Sequence, residues 1–181
     1  AIIIVIGCAT QVYKEDFMNI EGVSIILGNV GKSKICSYID EYLKNKKQIV
    51  DIYDNQNILF EEMKINNFDK TRAFVKIQDG CNNFCSYCII PYTRGNVRSR
   101  KQENIYDEIK ELIKNGHSEI VLTGIHTGHY GTDLGDFNFA SLLKEIVKIK
   151  GLKRLRISSI EITELTDEVL DVLKKEEILV S

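Results

Sequence analysis

Short apolar runs alternate with amphipathic stretches along this chain, and few folds accommodate that alternation. Ile2–Ile6 is a β-branched run closed by Gly7, and Val23–Leu27 is a second, stopped by Gly28-Asn29. Such runs read as buried strands. Residues 14–20 predict a short helix. Residues 32–45 predict another, with Ile35, Ile39 and Leu43 at helical spacing beside Tyr38 and Tyr42. Strand, helix, strand, helix predicts a parallel α/β layer.

A second series begins at Ala73. Phe74–Ile77 reads as a strand, followed by a long loop. Residues 102–115 predict a helix with Ile105, Ile109, Leu112 and Ile113 inward, capped by Gly116. EIVLT (119–123) is a strand, and a glycine-rich loop runs from Gly124 to Gly135. Residues 139–150 form a helix with Leu142, Leu143, Ile146 and Val147 on one face. Residues 154–158 form a strand, 166–174 a helix with a capping-box-like start, and Ile178 opens a further strand. The repeated βα unit predicts a barrel or part-barrel. Between the two series, residues 46–70 are rich in Asn, Lys and Asp with little period and read as a linker holding at most one short element. The expected organisation is therefore residues 1–45, a linker at 46–70, and a core at 71–181. The chain opens inside an apolar run and ends in one, so it is expected to be a fragment.

Composition narrows the function classes. The formal net charge is −2 and the pI near 6.0, so no global basic footprint for nucleic acid exists. RNA binding would need a local patch or another segment. No stretch approaches the roughly 18 apolar residues of a membrane span. AIIIVIG is too short for a signal-peptide core and lacks a basic region before it. A cytoplasmic protein without membrane contact is expected.

Three of the five cysteines, Cys81, Cys85 and Cys88, fall within eight residues as C-x3-C-x2-C. Without a secretory signal, a disulfide framework is disfavoured and metal or redox chemistry is expected. Thiolates are the usual ligands of iron–sulfur clusters. Three from one loop satisfy three irons of a cubane and leave the fourth open to a substrate. A structural zinc site and an electron-transfer ferredoxin are alternatives, but each calls for a fourth ligand. His117, His126 and His129 lie about 30 residues or more downstream. The loop follows a strand, where a βα barrel places its chemistry.

The cysteine triplet with aromatic Tyr87 before its last member resembles the radical S-adenosylmethionine (SAM) signature. The wider run RAFVKIQDGCNNFCSYCIIPYTRGNVRSR (72–100) is similar to the methylthiotransferase branch of that superfamily. The resemblance implies a partial Rossmann-like amino-terminal domain followed by part of a radical SAM (β/α) partial TIM barrel. It implies a [4Fe–4S] cluster on Cys81, Cys85 and Cys88, with SAM chelating the open iron. One-electron reduction would split SAM to methionine and a 5′-deoxyadenosyl radical.

Further positions carry the resemblance. Arg94, Arg98, Arg100 and Lys101 form a cationic group after the cysteine loop. Arg94 and Arg98 are candidates for SAM carboxylate or substrate phosphate, for which guanidinium geometry suits; a solvated loop is the alternative. Thr123 and Gly124 open the segment TGIHTG, where the superfamily receives the SAM amino group through backbone carbonyls. The commoner Gly-Gly-Glu form is absent here. The simpler reading is a tight turn in which Gly124 and Gly128 supply φ > 0, with His126 either a pocket residue or a loop residue. At the third strand end, RISSIE (156–161) resembles the family's SAM-binding SSIEP, with Ile162 where Pro is usual. Ser159 and Glu161 are candidate polar contacts. Arg156 alternates with Leu155 and Ile157 and is expected to face inward, where it must be paired. Tyr87 completes the SAM-binding candidates.

Residues 1–40, with IIIVIGCATQ and GVSIILGNVGKSKI, resemble the second half of the methylthiotransferase amino-terminal domain. Cys8 matches the third of three ligands of an auxiliary [4Fe–4S] cluster whose other two ligands this sequence lacks. Without that resemblance, Cys8 is expected to be a small buried strand-end residue, and Cys36 packing. EIVLTGIHTGHYGTDL and RLRISSIE are most similar to the branch that adds a methylthio group to carbon 2 of threonylcarbamoyladenosine in tRNA. The implied partners are tRNA and an electron donor such as flavodoxin or ferredoxin. Alternatives are isopentenyladenosine in tRNA, a ribosomal-protein aspartate, or a non-catalytic iron–sulfur or RNA-binding module.

Overall fold

The structure is a computed structural model describing residues 1–54, 59–135 and 137–180. The chain divides into two compact units: Ala1–Met63 with Asn82–Asn96, and Lys64–Cys81 with the chain from Val97 on.

The first unit holds a parallel sheet in the order β1 (Ile3–Ile6), β2 (Val23–Leu27), β3 (Ile49–Asp51). β2 is central and buried at every position, which is why its sequence is continuously apolar rather than alternating. β3 lies in the stretch read as a linker, and Ile49 and Val50 pair with Ile25 and Ile26. Three α-helices decorate the sheet: α1 (Cys8–Val12), α2 (Lys14–Met18) and α3 (Ile35–Asn45). α1 went unread in the sequence because five residues cannot show a helical period. Thr10 ties it to β2: its Oγ1 shares one hydroxyl hydrogen between Gly7 O at 2.8 Å and Leu27 O at 2.5 Å. The Tyr38 hydroxyl on α3 donates to Asp51 Oδ2 on β3. Burial first, then this bond to a carboxylate, pushes the Tyr38 pKa well above its ordinary value. α4 (Ile90–Arg94) also belongs to this unit and packs on α1; Pro91 sits in its first turn, where a missing N–H costs nothing.

In the second unit, β4 (Arg72–Lys76) is followed by a small antiparallel pair, β5 (Gln78–Asp79) and β6 (Arg98–Ser99). Then come α5 (Gln102–Lys114), β7 (Glu119–Thr123), α6 (Phe139–Ile146), β8 (Arg154–Ile157), α7 (Asp167–Lys175) and β9 (Leu179–Val180). The order β4-β7-β8-β9 is parallel throughout and follows the chain, as in an open segment of a βα barrel. The described strands do not close.

One sheet face carries Ala73, Val75, Ile77, Ile120, Leu122, Leu155 and Ile157, all in the core. They meet Ile105, Ile109 and Leu112 of α5, Leu142, Leu143 and Ile146 of α6, and Val169 and Val172 of α7. Each fully buried aliphatic side chain here contributes on the order of 2 kcal/mol. Ile113 and Val147, expected inward, lie at the half-buried margin of this core. The opposite face presents Arg72, Phe74 and Lys76 of β4 and Glu119, Val121 and Thr123 of β7. No described helix is long and apolar enough to cross a membrane.

Candidate functional site

The carboxy ends of β4, β7 and β8 in the second unit are joined by buried polar contacts. β4 continues through Ile77, whose N–H donates to Thr123 O at 2.9 Å. Gln78 follows and is fully buried. Its Oε1 accepts from Ile125 N at 3.0 Å and His126 N at 2.9 Å. Its Nε2 donates to Asp79 O at 2.9 Å and Gly80 O at 2.6 Å. One carboxamide thus fastens the chain entering the cysteine loop to the loop after β7. Buried amides satisfied at both ends fix geometry, because any shift strands a polar group. Gln78 was missed in the sequence: a Gln at a strand end has no distinguishing period or motif.

Thr123 and Gly124 stand at the end of β7 beside this amide. Neither Gly124 nor Gly128 takes a positive φ, which corrects the turn expectation; both are small for want of space. A Cβ on Gly124 would stand 2.9 Å from Gln78 Oε1, and one on Gly128 would stand 2.4 Å from Glu164 Cβ. The left-handed residue is Ser159, at φ 50°. Its carbonyl accepts from Thr127 Oγ1 at 3.1 Å, and Ser158 O accepts from the same hydroxyl at 2.7 Å. The loops after β7 and β8, which carry Thr123, Gly124, Ser159 and Glu161, are therefore brought together. Glu161 caps the 3₁₀ turn Ile162–Glu164, and Ile162 is exposed. His126 is not a free loop residue: it is buried and contacts Glu161 and Glu164.

Arg156 faces away from the helices, as its alternation predicts, and finds its partner in Glu119. Arg156 Nε is 2.6 Å from Glu119 Oε1, Arg72 Nε is 2.9 Å from the same oxygen, and Arg154 is 3.6 Å from Oε2. The Arg156 hydrogen bond, ahead of the charge of Arg72, holds the Glu119 carboxyl below its ordinary pKa. This cluster begins β7, at the opposite end of the strand from Thr123. Arg98 is buried with Asp79 Oδ2 at 3.7 Å. Arg100, grouped with the loop cations in the sequence, is instead an interior residue paired with buried Glu108. Lys101 is exposed.

Cys81 closes the second unit's first segment, whereas Tyr87, Cys85, Cys88 and Arg94 belong to the first unit. All three thiols are free of disulfides; Cys81 is buried, Cys88 half-buried and Cys85 exposed. The loop turns on Phe84, at φ 46°, and Cys88 N donates to Cys85 O at 2.9 Å. Tyr87 projects into solvent at 90% exposure. Cys8 starts α1, and its thiol donates to Asn29 Oδ1 at 3.4 Å; Asn29 Nδ2 donates to Thr93 O on α4 at 2.5 Å. Three thiols in eight residues, with no fourth Cys or His among them, have the donor chemistry of a cluster ligated three times by protein.

Sequential parallel βα units, with a cysteine triplet on the loop after the first strand, define a class of iron–sulfur α/β proteins. The Radical SAM superfamily model matches residues 75–181, and the chain belongs to that superfamily. Membership implies a [4Fe–4S] cluster and SAM as cofactors. The chain is 44% identical, over 99% of its length, to threonylcarbamoyladenosine tRNA methylthiotransferase MtaB of Bacillus subtilis (strain 168), covering 41% of that protein. It is 37% identical to the Aquifex aeolicus (strain VF5) protein of the same name over 98% of its length, covering 43% of it. A tRNA-2-methylthio-N(6)-dimethylallyladenosine synthase of Clostridium botulinum is 42% identical over 84% of this chain, which covers 34% of that synthase. The chain thus spans about two-fifths or less of these relatives.

Proposed function

We propose that this chain is the SAM-cleaving part of a methylthiotransferase that modifies carbon 2 of threonylcarbamoyladenosine beside the tRNA anticodon. The observation that carries this reading is the 44% identity to the Bacillus protein, which extends through the segment of Cys8 as well as the cysteine loop. In this reading residues 1–45 belong to an amino-terminal domain, 46–70 link it, and 71–181 form the radical SAM core.

Cys81, Cys85 and Cys88 hold the [4Fe–4S] cluster as thiolates. When bound, the cluster and SAM together supply one-electron reductive cleavage of the SAM sulfonium. The chain's residues bind and orient. Thr123 and Gly124 offer backbone carbonyls to the SAM amino group, with Gln78 fixing where those carbonyls stand. Ser159 and Glu161 supply polar contacts from the loop after β8. Tyr87 completes the SAM-binding set; Arg156, expected to join it, is instead committed to Glu119 at the other end of β7 from Thr123. Arg94 and Arg98 address the SAM carboxylate or the substrate. Cys8 is one ligand of a second, sulfur-handling [4Fe–4S] cluster in the full-length protein. The partners are tRNA and a low-potential electron donor such as flavodoxin or ferredoxin, in the cytoplasm.

The similarity to dimethylallyladenosine synthases favours a second reading, in which the tRNA base is isopentenylated adenosine. Nucleoside analysis of tRNA from a strain deleted for the gene separates them. Loss of the 2-methylthio form of threonylcarbamoyladenosine is the expected result. Loss of the isopentenyl form instead, or an unchanged nucleoside profile, overturns the assignment.

A further inference from the structure

The loops after β7 and β8 each carry a 3₁₀ turn, Thr127–His129 and Ile162–Glu164. At these turns, His126, His129 and Glu164 each offer one ligand atom, and those atoms lie within 4.8 Å of one another. His126 Nδ1 contacts Glu164 Oε1 directly, and His129 Nε2 is 3.6 Å from that oxygen. The imidazole centroids are 4.3 Å apart. The Glu164 side chain is 3% exposed. Its other oxygen, Oε2, accepts from Glu161 N at 2.8 Å, which leaves Oε1 to the imidazoles.

His126 faces a carboxylate with each ring nitrogen, since its Nε2 is 3.2 Å from Glu161 Oε1. A neutral imidazole has one N–H and one lone pair. One of its two carboxylate contacts then sets lone pair against lone pair unless the ring carries a second proton or a cation. A cation at Nδ1 removes the conflict. It takes the Nδ1 lone pair, the His129 Nε2 lone pair and the Glu164 charge, and it directs the His126 Nε2–H toward Glu161. A ligating imidazole whose second nitrogen is held by a carboxylate is the usual outer-shell arrangement.

The geometry points to a site for one divalent cation of the zinc class on His126, His129 and Glu164. Two imidazoles and a carboxylate are a zinc donor set with three protein ligands and a fourth position for water. Calcium and magnesium prefer all-oxygen sites. Gly128 makes the approach possible, because a Cβ there would collide with Glu164. The ion clamps the loop of Thr123 and Gly124 to the loop of Ser159 and Glu161. It uses none of the cysteine-loop thiols and does not depend on which substrate the enzyme modifies.

The test adds zinc to the anaerobically reconstituted full chain, with iron and sulfide assayed on the same sample, then removes loose metal by gel filtration. Zinc is counted by mass spectrometry and its ligands are read by X-ray absorption. The expected result is about one zinc per chain with nitrogen and oxygen neighbours at ~2.0–2.1 Å. His129→Ala, at the half-exposed rim, and Glu164→Gln, of equal volume, should each weaken binding at least tenfold without changing the iron content. Failure to retain zinc, zinc with sulfur neighbours at ~2.3 Å, or equal zinc in wild type and both variants overturns the site. An iron-poor sample marks a failure of the cluster assignment instead, and the X-ray spectrum still decides the zinc site.

Discussion

Gln78 occupies the space that a side chain at Gly124 would need: a Cβ there would stand 2.9 Å from Gln78 Oε1. That oxygen holds the next two backbone N–H groups after Gly124, and the same side chain's amide holds the carbonyls of Asp79 and Gly80. Gln78→Ala strands these groups, and each buried unmet group costs about 1–3 kcal/mol. SAM affinity should therefore fall by roughly 5- to 100-fold, measured as the dissociation constant of the cluster-loaded protein. Gly124→Ala should move in the same direction by pushing on the carboxamide. Unchanged SAM affinity in both variants would remove Gln78 as a positioning residue.

Arg100 and Glu108 form an interior ion pair, with side chains 1% and 3% exposed. Glu108 Oε1 also accepts from Ile65 N at 3.1 Å. Glu108→Ala leaves a buried guanidinium without its counter-charge and should cost about 3–5 kcal/mol. Denaturant unfolding measures this. A loss below about 1 kcal/mol would show the pair to be solvated.

Glu119 sits among Arg72, Arg154 and Arg156, and the Arg156 hydrogen bond leads in lowering its pKa. Its stabilising contribution is present above the unfolded carboxyl pKa of ~4.3. It is lost as pH falls through the lower folded value. Acid unfolding of Glu119→Gln should therefore show a shallower loss of stability below about pH 4.5 than wild type. Parallel stability–pH curves for the two proteins would contradict the pairing.

Gly131 has φ 91°, and a Cβ there would lie 1.9 Å from Phe137 O. Gly131→Ala meets both a disfavoured backbone conformation and a collision with fixed backbone. The expected destabilisation exceeds about 1 kcal/mol, read as a lowered thermal midpoint. A rise in the midpoint would mean the loop relaxes freely.

Much of the fold was legible because burial imposes period. Val75 and Ile77, or Ile105 and Ile109, declare a strand face and a helix face by spacing alone. The cysteine triplet was legible because three thiols in eight residues have few uses. What escaped notice carries no period. α1 and α4 are each five residues long and held by side-chain and cap contacts. Gln78 and Glu164 act through burial, which single residue letters do not reveal. Arg100 looked like a loop cation until Glu108, one helix further on, was seen to bury it. Gly124 and Gly128 were legible as important glycines, but tertiary crowding rather than φ requires them.

The central claim is that Cys81, Cys85 and Cys88 make this chain a SAM-cleaving protein. It is tested most directly by anaerobic cluster reconstitution, addition of SAM and a one-electron reductant, and assay of 5′-deoxyadenosine. The account predicts 5′-deoxyadenosine from the wild-type chain and none above background from the Cys81→Ala, Cys85→Ala, Cys88→Ala triple variant. Equal formation by that variant would contradict it.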